Sequence, residues 1–160
     1  MAFEVKNKIL ELEGHKSRLR FTSLQKRQFE VISELYVDTI DLTDDVNRYM
    51  TWLGFRGRTP EERADNFFEL DGKMKDYGNK LRRKRLFLKA DTADKIIDYL
   101  RKINRLIDEG GTNDIRTLSD NKIFKIEAMG KIIKLTSEMK VTLDNFAKDL
   151  EIEFRTLIEE

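Results

Sequence analysis

Residues 132–157 read IIKLTSEMKVTLDNFAKDLEIEFRTL. Within this stretch Ile132, Leu135, Met139, Leu143, Phe146, Leu150, Phe154 and Leu157 recur at steps of three and four. A helical turn takes 3.6 residues, so that spacing lays one apolar stripe along a long helix. Near the other end of the chain Leu24, Val31, Leu35, Leu42, Val46, Tyr49 and Leu53 keep the same period, with polar Gln28 and Thr39 in its gaps. One proline, Pro60, interrupts 160 residues. The pattern predicts an all-α chain.

The first helix is expected from about Phe3 to Leu53, with Gly14 a weak point, ending at Gly54-Phe55-Arg56-Gly57, where glycine allows left-handed exit geometry. Thr59 then reads as an N-cap, with Pro60 at the first helical position and Glu62 completing a capping box. The stripe of this second helix is Phe67, Leu70, Met74, Tyr77 and Leu81. Asp91 reads as the cap of a third helix with stripe Ile96, Leu100, Ile103 and Ile107, stopping at Gly110-Gly111. Thr112 to Leu118 reads as a loop or turn, and the fourth helix runs from near Ser119 to about Ile158.

At 1.5 Å per residue the outer helices come to roughly 75 and 60 Å and the middle ones to about 39 and 27 Å. Short connections make sequential helices antiparallel neighbours. The expected architecture is an elongated antiparallel four-helix bundle, a single domain over 1–160. Its bundle would take about 28–137, and a coiled-coil-like stalk would pair about 3–27 with 138–158. In that arrangement Phe146, Leu150, Phe154 and Leu157 extend past the short middle helices. The apolar area left over predicts a homo-oligomer, with a two-fold dimer favoured.

Lys and Arg number 31 against 30 Asp and Glu, so no global field draws in nucleic acid or an acidic membrane. The absence of cysteine excludes thiolate nucleophiles, disulfides and sulfur-bound zinc, and suits a reducing compartment. No apolar run approaches the roughly 18 residues of a membrane span, and the start lacks a signal-peptide core. A cytoplasmic chain without membrane insertion is expected.

Catalytic patterns are scarce. The single histidine, His15, has Leu12 three residues before it, so the Glu-x-x-His pairs of a di-iron bundle are missing. There is no Gly-x-Ser-x-Gly and no phosphate-gripping glycine loop. Asp41, Asp44 and Asp45, or Glu61, Glu62 and Asp65, offer carboxylates for magnesium, although the second group sits where it would stabilise a helix dipole. No catalytic residue, cofactor or metal ligand is assigned, and the chain is not expected to be an enzyme.

The sharpest local signal is basic: Lys80, Arg82, Arg83, Lys84, Arg85 and Lys89, with Phe87 among them. Such a cluster can grip phosphates while the ring stacks on a base. The same cations also suit a helix C-terminus. Leu86, Phe87 and Leu88 read as a buried connector, Trp52 as a cap on the end of the core, and the strip His15, Lys16, Arg18, Arg20, Lys26 and Arg27 as a solvated face.

Ser23-Leu24-Gln25-Lys26-Arg27, followed by Phe29-Glu30-Val31-Ile32-Ser33-Glu34-Leu35-Tyr36, resembles a segment of many uncharacterised bacterial proteins. Lys84-Arg85-Leu86-Phe87-Leu88, followed by Ala93-Asp94-Lys95-Ile96-Ile97-Asp98, resembles their connector into a short helix. The resemblance implies a helical bundle on a coiled-coil stalk, with no catalytic motif to carry over. In those proteins a membrane helix often precedes the stalk. The long amphipathic helices and the lack of any site lead to the function expected, a helical interaction or scaffold protein that self-associates through its stalk, with a protein partner besides. The alternative is a nucleic-acid-binding accessory using the basic patch.

Overall fold

The computed structural model describes residues 4, 6–11 and 23–159. Four helices carry it: α1 (Ser23–Trp52), α2 (Pro60–Lys84), α3 (Ala90–Arg116) and α4 (Lys122–Glu159), with a 3-10 turn (Arg85–Phe87) between α2 and α3. Residues 6–11 are also helical, and no strand occurs among the described residues. The all-α expectation holds.

Side-chain pairs give the register. Between α1 and α2, Lys84 meets Glu34 (2.6 Å), Lys80 meets Asp38 (3.6 Å) and Lys73 meets Asp45 (3.2 Å), so the two helices run in opposite senses. Between α3 and α4, Thr92 donates to Glu153 (2.8 Å), Tyr99 to Asp149, and Arg105 to Glu138 (3.1 Å), again in opposite order. Contacts join α1 to α2, α2 to α3, α3 to α4 and α4 back to α1.

The core is built mostly of the stripes read from the sequence, although Leu24 at the start of α1 is 59% exposed and Phe67 is only partly buried. Phe146 is fully buried, stacked on Tyr99 at 4.8 Å and edge-on to Tyr77 at 6.5 Å. Phe154 meets Tyr36 edge-on at 5.0 Å. Thr39, the polar gap in its stripe, is buried because its hydroxyl donates to the Leu35 carbonyl (2.6 Å), which leaves Tyr77 as donor in their 2.7 Å contact.

Several expectations are corrected. The third helix does not stop at Gly110-Gly111; α3 continues through both to Arg116. A Cβ on Gly110 would lie 2.9 Å from Leu53 Cδ1, and one on Gly111 3.1 Å from the Phe67 ring. Those glycines serve close helix approach rather than termination. Asp91 is not the N-cap: Lys89 holds that place in extended conformation, and Asp91 lies in the first turn. The fourth helix begins at Lys122, where Asn121 Oδ1 accepts the amides of Ile123 (3.0 Å) and Phe124 (3.3 Å). Thr59 caps α2 as read, its hydroxyl accepting the Glu62 amide at 3.1 Å, and Gly54 takes a left-handed φ of 76°.

The connector Leu86-Phe87-Leu88 is buried only in part. A 3-10 turn rotates successive side chains by about 120°, so three in a row cannot share one face. Leu88 is buried, Phe87 half-buried under the Arg27 guanidinium at 5.1 Å, and Leu86 is 91% exposed.

The stalk is also revised. Lys8 pairs with Glu151, while Tyr36 meets Phe154 only three residues away on α4. In one straight helix residues 8 and 36 would lie about 42 Å apart. Residues 6–11 therefore do not continue α1 in a line; Gly14 and His15 lie outside the described residues. Phe146, Leu150, Phe154 and Leu157 are all buried by the chain itself, because the first half of α3 lies beside them, with Tyr99 on Phe146 and Thr92 at Glu153, while Tyr36 of α1 meets Phe154. They are not a seam left over for a second copy.

All four tyrosines of the chain hold their protons unusually tightly, first because burial disfavours phenolate. Tyr36 and Tyr99 are pushed up to about 12; Tyr49 and Tyr77 also shift upward. A folded pKa raised above the unfolded one gives stability that is complete below about pH 10 and lost as pH climbs toward the folded value. Each tyrosine contributes at most about 1.4 kcal/mol per pH unit to that loss. The expected result is a cooperative alkaline transition in which tyrosinate absorbance and loss of helix appear together. Tyrosinate absorbance rising with the helix intact would contradict it.

Candidate interaction site

One end of the molecule gathers the C-terminus of α1, the loop to α2, the start of α2, the end of α3 and the start of α4. Its centre is a buried charge hub. Asp114, on α3, accepts from Arg58 Nη1 (3.1 Å), from Arg63 Nη1 and from the Gly54 amide (2.7 Å). Arg58 Nη1 also reaches the Trp52 carbonyl (2.7 Å), and Arg63 Nη2 reaches the Phe55 carbonyl (2.8 Å). The Asp114 carbonyl accepts from the Thr117 hydroxyl at 2.5 Å. All three charged side chains are at least nine-tenths buried. Two guanidiniums share one carboxylate, and Arg58 Nε and Nη2 and Arg63 Nε have no partner.

The arrangement holds backbone rather than offering a reactive group. Three donors surround the Asp114 carboxylate, and solvent barely reaches it. The Tyr49 hydroxyl is pushed up by burial and next by the Asp114 charge, with Arg58 opposing. The hub ties the α1–α2 loop to α3 and sets the geometry of a neighbouring cleft of about 560 Å³. Pro60, Phe67 and Phe68 of α2 and Ile115 and Leu118 beyond Gly111 line it, with Arg63 and Asp114 among its walls.

Exposed large apolar side chains concentrate at this end: Phe55, Phe68, Ile115, Leu118 and Phe124. Trp52 belongs with them, being 46% exposed beneath Arg58 rather than capping the core; Leu53 is the buried residue there. Contiguous exposed apolar area of this kind marks interaction surfaces.

The basic patch lies near the opposite end. Lys80, Lys84 and Arg85 are paired with Asp38, Glu34 and Asp94, and Lys89 also has a partner. Lys84 holds the Glu34 carboxyl below its ordinary range through their hydrogen bond. Arg82 and Arg83 are exposed. Among the described residues no group of three or more His, Asp or Glu side chains is placed to hold a metal, and no helix is long and apolar enough to cross a membrane.

Comparison with family models, with curated proteins and with solved structures finds no match for this chain.

Proposed function

We propose that the chain is a non-enzymatic scaffold, an antiparallel four-helix bundle that self-associates as a dimer through its apolar end. The observation that carries this is the clustering of exposed Phe55, Phe68, Ile115 and Leu118 around a cleft braced by the Arg58–Asp114–Arg63 hub. A closed two-fold pair buries the patch on both copies at once. Arg82 and Arg83 support a nucleic-acid-binding accessory as the second reading, weaker because most of their basic neighbours are already paired.

Phe68→Glu with Ile115→Glu tests the proposal. Both side chains are largely exposed, so stability should change by no more than about 0.5 kcal/mol at each site. Sedimentation at tens of micromolar should show dimers for the parent chain and monomers for the variant. A parent chain that sediments as a monomer overturns the reading.

A further inference from the structure

The first half of α4 carries a second apolar stripe, on the face away from the core. Ile123, Ile126, Gly130 and Ile133 follow steps of three, four and three. The isoleucines are 71, 71 and 66% exposed, while Ala128, Ile132, Leu135 and Met139 on the opposite face are buried. A stripe facing the core explains a helix in a bundle; a second one facing outward has no partner among the described residues. Its spacing is that of a coiled-coil seam. Gly130 leaves a gap between Ile126 and Ile133, since a Cβ there would meet nothing within 4 Å.

Charge indicates what fits against it. Lys122, Lys125, Lys131, Lys134 and Lys140 lie along the same stretch, and among the described residues none pairs with a carboxylate. Of the two glutamates in the stretch, Glu138 is already held by Arg105 of α3 at 3.1 Å, which leaves Glu127. A second copy would bring five lysines against five, and like charges facing each other oppose association. A lipid surface would accept the lysines but makes no use of seam spacing or of a gap that receives a knob.

We infer that this face of α4 takes an amphipathic helix of a different protein, with apolar residues at seam positions and acidic flanks. It is a separate face from the self-association surface, and each assignment can fail without the other. The probe is a synthetic three-heptad peptide with leucine at the seam and glutamate beside it, which repels itself; its counterpart carries lysine in place of glutamate.

The glutamate peptide should bind the full chain with affinity that falls as salt rises, and the lysine peptide at least about tenfold weaker. Ile126→Glu with Ile133→Glu should lose the glutamate peptide while keeping the parent's helix content and its oligomeric state. Binding of both peptides alike, binding undiminished in the variant, or binding of neither would each overturn the inference. So would capture by phosphatidylglycerol vesicles without peptide binding, or dimers that the Ile126→Glu, Ile133→Glu variant alone dissolves.

Discussion

Replacing Leu150 and Phe154 together by glutamate should unfold the chain. Both side chains are buried, at 4 and 2% exposure, with Phe154 edge-on to Tyr36. The substitution removes two core side chains, at about 2–5 kcal/mol each. It also buries two carboxylates without partners, at several kcal/mol apiece unless they take up protons. A chain of this size is stable by about 5–15 kcal/mol, less than the combined cost. Circular dichroism should show the helix lost at room temperature. A folded monomer would instead show these residues to be an exposed seam between copies. Phe146→Ala offers a graded version: a loss of about 3–5 kcal/mol in denaturant unfolding, without collapse of the fold.

Asp114→Ala should be the most damaging single change among the charged residues, at about 3–5 kcal/mol, because it strands two buried guanidiniums and frees the Gly54 amide. Removing Arg63 as well should recover part of that loss, since the carboxylate and one cation then leave together. A double-mutant cycle on Asp114 and Arg63 by urea unfolding measures the coupling. An Asp114→Ala variant as stable as the parent would show the hub to be solvated, and would remove the brace on which the cleft depends.

The helices were legible because periodicity is local. The stripes of α1, α2 and α4 can be read without knowing what they face. Glycine was not legible in that way. Gly110-Gly111 is the usual mark of a helix end, and only the nearness of Leu53 and Phe67 shows that the pair admits neighbouring side chains to an unbroken helix. That reading also concealed the hub. Counting by fours and threes from Ile107 through Gly110 lands on Asp114, and counting back from Phe67 lands on Arg63. Opposite charges on the apolar stripes of adjacent helices signal a buried pair, but the signal exists only if α3 is carried past its glycines. Arg58 has no periodic context and could be found only in three dimensions. The outward stripe of α4 was partly visible as Ile126 and Ile133, yet periodicity alone cannot tell which of two apolar faces meets the core.

The hub has a consequence for the order in which the molecule is made. Its contacts join Gly54, Arg58 and Arg63 to a residue 51 to 60 positions later in the chain. During synthesis α1 and α2 emerge first and can pair through Tyr77 and Thr39 while both arginines remain hydrated. Contacts so distant in sequence form late, because the intervening loop must close first. The end of the molecule that gathers its exposed apolar side chains thus takes shape only once residue 114 has left the ribosome. Until then a nascent chain has no braced surface with which to capture a neighbour.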